Sequence, residues 1–283
     1  MKCKLVDVFA KEKLSGNGLT IFYDYDSLDA NEMLSLTQKM RQFESIFVKV
    51  NDHESSVRAK IFTVEEELDF AGHPIIGLAA HLHEESGDLK PREWKIDLNQ
   101  KSVTVKTKKT DTYFYASMAQ GTPEYIRTLT FNEAEEALSA LNLSSKNLAN
   151  YPLEVISTGL PYLIVPITSG IENANIGIGY FEKLLERFGA KFVYIIDILN
   201  FEGRTWDNHG SVEDIATGSA AGPTAAFLVK HELALCDSPI IISQGRLLGR
   251  PSEIEAYVET KESTVSNIWV SGDVVKVANI CFV

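Results

Sequence analysis

Two helical segments that are apolar on nearly every face, each opened by a glycine, set the limits on how this chain folds. The first follows Phe70-Ala71-Gly72-His73-Pro74 and carries Ile75, Ile76, Leu78, Ala79, Ala80 and Leu82. The second follows Glu213-Asp214-Ile215-Ala216-Thr217-Gly218-Ser219 and carries Ala220, Ala221, Ala225, Ala226, Phe227, Leu228 and Val229. A helix of that kind has no face to offer water and must be enclosed on most sides. The strand-like runs around each segment can enclose it only by curling. The expected fold class is therefore α+β, with two pseudo-symmetric domains. Each is a half-barrel of mostly antiparallel sheet wrapped around one central apolar helix.

The order of periodicities supports the duplication. Laid over itself at an offset of about 147 residues, the chain repeats its pattern element for element. The first half reads as a helix over 31–42, strands over 45–50, 58–63 and 68–70, the apolar helix to about 84, then strands over 94–98, 102–107 and 112–118. The second reads as a helix over 181–188, strands over 191–197, 201–206 and 211–213, the apolar helix to about 231, then strands over 239–243, 253–259, 267–270 and 274–282. Opening strands over 5–9 and 21–22 match those over 153–157 and 163–166. A linker is expected over 120–150, helical at 132–141. The domains are placed at 1–122 and 123–283, with the final strand, about 274–283, a candidate to return to the first. Pro74 suits a helix start, where its missing N–H has no partner to lose. Pro223 is tolerable only if its helix begins near Ser219 or Ala220.

The first backbone N–H groups of a helix are unpaired and carry partial positive charge, so two such starts aimed at one cleft would receive an anion. The net charge of −12 excludes the basic face expected of a nucleic-acid or anionic-membrane binder. No apolar run approaches the ~18 residues needed to cross a bilayer. Three cysteines, Cys3, Cys236 and Cys281, form no paired spacing and fit a reducing, cytoplasmic setting. His81 and His83 face different ways on a helix, and no His/Cys cluster has metal-ligand spacing, so neither metal nor cofactor is expected. Gly16-Asn17-Gly18 lacks the third glycine of a dinucleotide loop, because position 21 is Ile, and it reads as a turn.

Glu44, at a helix-to-strand junction between Phe43 and Ile46, is either a solvated strand-entry residue or a carboxylate desolvated for proton transfer. His73, before Pro74, is either structural or turned to the cleft. Asp214 and Ser219 read equally as caps.

Several motifs in a fixed order settle these choices by resemblance. They are Asp7-Val8-Phe9, Gly16-Asn17, Phe43-Glu44-Ser45-Ile46-Phe47-Val48, Ile61-Phe62-Thr63, residues 70–74, Ser157-Thr158-Gly159-Leu160-Pro161, residues 213–223, and Gln244-Gly245 with Gly249-Arg250-Pro251-Ser252. Nearly end to end, the chain resembles the PhzF family of phenazine-biosynthesis isomerases, in the diaminopimelate-epimerase-like fold. The resemblance implies a homodimer and a cofactor-independent isomerase moving a proton between carbons of a small anionic carboxylate, as in isomerisation of trans-2,3-dihydro-3-hydroxyanthranilate. It makes Glu44 the acid/base, His73 and Asp214 its catalytic partners, and Gly72, Gly218, Ser219 and Asn17 substrate contacts. The family usually has Pro where this chain has Gly18 and Ile215, so substrate preference can differ. No thiol occupies positions 44, 73, 214 or 219, which disfavours the two-thiol chemistry of diaminopimelate epimerase and proline racemase. Two alternatives share the site: epimerisation at one carbon, and ligand binding without turnover.

Overall fold

The computed structural model describes residues 1–50, 56–262 and 264–282. The chain divides into one unit of Met1–Ala119, Arg250–Glu253 and Ser271–Val283, and a second of Gln120–Gly249 and Ile254–Val270.

The first unit runs β1 (Lys2–Val8), β2 (Asn17–Tyr23), α1 (Ala30–Met40), β3 (Glu44–Val50), β4 (Ser56–Thr63), β5 (Glu67–Leu68), α2 (Gly72–Ser86), β6 (Arg92–Asp97), β7 (Ser102–Lys109) and β8 (Phe114–Gly121). Its strands lie in the order β1-β2-β3-β4-β6-β7-β8, with β5 beside β4. Two pairs are parallel, β2–β3 across α1 and β4–β6 across α2, and the other neighbours with a defined register are antiparallel. A parallel pair needs a crossover, and a helix supplies each one. Asp29 and Glu32 form a capping box at the start of α1, each side chain accepting the other's backbone N–H at 2.9 Å.

α2 is buried from Gly72 to His83, as an all-round apolar helix must be. The sheet comes so close that a Cβ on Gly77 would lie 2.6 Å from Leu19 Cδ2 and 2.7 Å from Val8 Cγ2. On the sheet's other face Cys3, Phe22, Met33, Phe47 and Phe62 form a second core beneath α1. Phe22 stacks on Phe47 with ring centres 4.7 Å apart, a contact worth about 0.5–1.5 kcal/mol beyond area burial.

The second unit runs β9 (Glu124–Thr128), α3 (Phe131–Ala140), β10 (Glu154–Ser157), β11 (Pro161–Ile167), α4 (Phe181–Phe188), β12 (Phe192–Asp197), β13 (Glu202–Arg204), α5 (Gly218–Lys230), β14 (Pro239–Gln244), most of β15 (Ser252–Lys261) and the opening of β16 (Thr264–Cys281), whose residues from Ser271 onward belong to the first unit. Again two pairs are parallel, β11–β12 across α4 and β13–β14 across α5. β9–β10, β10–β11 and β12–β13 are antiparallel. Each unit is thus a curled, mostly antiparallel sheet around one apolar helix.

Three elements differ from the sequence expectation. β9 lies inside the stretch read as linker. The expected strands over 267–270 and 274–282 are one strand, β16, because Ser271-Gly272-Asp273 continues the ladder instead of turning. A Cβ on Gly272 would lie 2.4 Å from Phe9 Cδ1, so glycine is needed there for close packing. Residues 211–213 form no strand, only an isolated bridge between Trp206 and Glu213. α5 begins at Gly218, which makes Pro223 its sixth residue and deprives the Ser219 carbonyl of its helical donor. In the same turn the Gln120 amide donates to the Gly218 carbonyl at 2.9 Å.

Among the described residues no helix is long and apolar enough to cross a membrane.

One buried contact in the first unit makes stability depend on pH. His81 Nε2 lies 2.5 Å from the Tyr23 hydroxyl, and burial pushes the imidazole down to about 4. An unfolded histidine titrates near 6.5, so below that pH the unfolded chain takes up a proton the folded one refuses. Stability is therefore lost as pH falls from about 6.5 to about 4, by roughly 3 kcal/mol at ~1.4 kcal/mol per unit. Chemical unfolding of wild type and His81→Leu at pH 7 and pH 4 should give a difference that shifts by that amount. A pH-independent difference would refute the assignment.

Candidate active site

Glu44 opens β3, flanked by Leu19 of β2 and Thr63 of β4, and His73 is the second residue of α2. Strand and helix bring the two together: His73 Nδ1 lies 2.8 Å from Glu44 Oε2, with side chains 4% and 8% exposed. Glu44 is therefore buried, and the solvated reading is set aside. With Nδ1 directed at the carboxylate, His73 Nε2 is buried without a hydrogen-bond partner among the described residues. An unsatisfied buried polar atom costs about 1–3 kcal/mol and calls for an explanation.

Gly72 opens α2, and its N-cap residue, Ala71, offers no side-chain cap. α5 is likewise uncapped by the Thr217 side chain, whereas α1 and α3 carry capping boxes. Asn17, the buried first residue of β2, follows Gly16, whose φ of +63° is left-handed. The loop before it is tied down by Asp7. The Asp7 Oδ2 atom accepts from Leu14 N at 2.7 Å, and Oδ1 accepts from Arg250 Nη2 at 2.8 Å. Burial raises the Asp7 carboxyl above its ordinary value, opposed by those two donors. Arg250 also donates to the Ser15 carbonyl at 3.1 Å.

Two glycines here should respond differently to substitution. A Cβ on Gly16 would lie 2.4 Å from the Val8 carbonyl and 2.7 Å from Ala10 Cβ, in a backbone conformation alanine disfavours. A Cβ on Gly18 would lie 1.9 Å from Gln42 Oε1, the movable end of a flexible side chain. Gly16→Ala should cost about 1–3 kcal/mol and Gly18→Ala about 0.5 kcal/mol or less in thermal unfolding. Equal losses would show that Gln42 is fixed in place.

In the second unit Asp214, buried just before α5, accepts the Thr217 hydroxyl at Oδ2 over 2.6 Å. Ser219, the second residue of α5, shares a 2.7 Å hydrogen bond with the Tyr162 hydroxyl. Gly222 leaves room for Gln120, whose Oε1 would lie 2.0 Å from a Cβ there. Sequence reading passed over Tyr162, Thr217, Gln120 and any role for Gln244. Only Thr217 left a local trace, three residues after an Asp. Among the described residues no group of three or more His, Cys, Asp or Glu could hold a metal ion.

The family model for phenazine biosynthesis-like proteins, PhzC-PhzF, matches residues 6–279. A trans-2,3-dihydro-3-hydroxyanthranilate isomerase of Pseudomonas aeruginosa is 32% identical over 276 residues, covering 95% of this chain and 94% of that protein. Another Pseudomonas aeruginosa protein, solved as a predicted epimerase, is 42% identical with a TM-score of 0.94, over 100% of this chain and 99% of that one. A probable proline racemase of Agrobacterium radiobacter shares the fold at 12% identity and a TM-score of 0.65, over 100% of this chain and 92% of that one. The chain has the α+β epimerase-like fold, belongs to the PhzC-PhzF family and is an isomerase.

Proposed function

We propose that this isomerase moves a proton between carbons of a small carboxylate-bearing metabolite, with Glu44 as the acid/base and no cofactor. The observation that carries this is the buried Glu44–His73 pair, 2.8 Å apart, with His73 Nε2 left without a partner among the described residues. Glu44 takes a proton from one carbon, the electron pair is delocalised toward the substrate's unsaturation and carboxyl group, and the resulting acid returns the proton to another carbon. His73 orients Glu44 through Nδ1 and offers Nε2 to the substrate. Gly72, Asn17, Asp214, Gly218 and Ser219 are proposed as further catalytic and substrate contacts, with uncapped helix starts suited to carboxylate oxygens. Preorganised donors of this kind contribute ~3–4 kcal/mol each to rate in a dry site.

Relatives about 30% identical are named as isomerases of trans-2,3-dihydro-3-hydroxyanthranilate, which makes that compound the first to try. Proton NMR in D₂O should show double-bond migration, with deuterium at the newly protonated carbon to the extent that the Glu44 acid exchanges with solvent before the proton is returned. Incubation that leaves the compound unchanged while a ligand demonstrably binds would remove it as the substrate. The relative solved as a predicted epimerase favours a second reading, epimerisation at one carbon. Inversion at a single labelled centre without double-bond migration is its signature.

A further inference from the structure

Gln244 closes β14 and is 1% exposed, and its side-chain amide engages four groups of the second unit. Two of them have no choice of role. The Thr217 backbone N–H, 3.1 Å from one end of the amide, can only donate, so that end is Oε1. The Asp214 backbone carbonyl, 2.8 Å from the other end, can only accept, so that end is Nε2. Main-chain groups thus fix the amide's orientation.

The remaining protons then follow. Oε1 also accepts from the Tyr194 hydroxyl at 2.9 Å. Nε2 spends its second hydrogen on Thr217 Oγ1 at 3.0 Å. Thr217, accepting there, directs its own proton to Asp214 Oδ2 at 2.6 Å. The donors run one way, Tyr194 to Gln244 and Gln244 to Thr217 to Asp214. Gly203 makes room for the source of this chain, because a Cβ there would lie 2.0 Å from the Tyr194 hydroxyl oxygen.

We propose that Gln244 is the positioning residue of the site. By fixing the direction of the Thr217 hydroxyl it holds the Asp214 carboxyl as a hydrogen-bond acceptor in one rotamer for the substrate. The proposal rests on the reading of Asp214 as a substrate contact. It assigns a role to the Gln244-Gly245 motif, and it makes Thr217 a relay of orientation and not a helix cap.

Gln244→Glu tests it with a near-isosteric change. A carboxylate at 244 has no hydrogen for Thr217 Oγ1 and draws the Thr217 proton to itself, breaking the Thr217 hydroxyl's hydrogen bond to Asp214 Oδ2. With trans-2,3-dihydro-3-hydroxyanthranilate, kcat should fall about 10–100-fold and KM stay within about threefold, the mark of misplaced groups. Thr217→Val should lose as much, and Thr217→Ser should recover most of it. Crystal structures of Gln244→Glu and Thr217→Val should show the Asp214 carboxyl turned from its wild-type rotamer. An Asp214 rotamer unchanged in both variants overturns the proposal, as does wild-type kcat in Gln244→Glu. If the wild type does not turn over this compound, the functional reading fails for it, and the Asp214 rotamers still decide the role of Gln244.

Discussion

Glu44→Gln should lower kcat by about 10²–10⁴-fold while leaving ligand affinity nearly unchanged. The amide matches the carboxylate in shape, and its oxygen can still accept from His73 Nδ1 at the present 2.8 Å. What it cannot do is take a proton from carbon. Turnover and deuterium uptake should therefore vanish together, while calorimetric titration with the substrate still saturates. That split separates loss of chemistry from loss of the site. Turnover within tenfold of wild type would remove Glu44 as the base. The double variant Glu44→Gln with His73→Asn should be little slower than Glu44→Gln alone, because groups that act as one unit are not additive.

The largest stability effect is expected at Arg204. Its Nε and Nη2 reach Glu213 Oε1 and Oε2 at 2.7 and 2.6 Å, and Nη1 donates to the Ile171 and Ala174 carbonyls at 2.6 and 3.0 Å. The guanidinium also lies 4.6 Å from the centre of the Trp206 ring. Both partners are about nine-tenths buried, with 10% and 11% of their side chains exposed. Removing one partner of such a pair strands the other charge, at a cost of about 3–5 kcal/mol. Arg204→Met should accordingly lower Tm by roughly 10 °C in a domain of this size. Arg204→Lys should recover less than half, since an ammonium cannot serve a carboxylate fork and two carbonyls at once. Arg204→Met combined with Glu213→Leu should be more stable than Arg204→Met alone. A drop of under about 3 °C for Arg204→Met would mean that water reaches Glu213. Because Asp214 follows Glu213 in the chain, the same variant should also weaken turnover.

What could be read from the residues was whatever leaves a periodic or positional trace. α2 and α5 were legible because a helix without a polar face stands out. Glu44 was only half legible: its place at the entry of an apolar strand left a solvated and a buried carboxylate equally open, and burial against His73 is set by a helix 29 residues on. β9 was not, since Tyr125 and Ile126 are both substantially exposed and the segment never alternates apolar with polar. β16 was cut in two because Ser-Gly-Asp is turn chemistry, and only the Phe9 ring against Gly272 explains why the strand runs on. The supports of Asp214 were hidden for a different reason. Gln244 meets Asp214 and Thr217 across 30 and 27 residues, and a lone polar side chain in a strand advertises no distant partner.

In the first unit β1 and the later part of β16, far apart in sequence, lie side by side. Lys2 to Val8 pair with Cys281 to Val274, and Phe282 N donates to the Met1 carbonyl at 2.8 Å. For a nascent chain this means that β1 waits for a strand made much later. Until residues 271–281 leave the ribosome, one edge of β1 stays open for mispairing, however early the rest of the unit collapses.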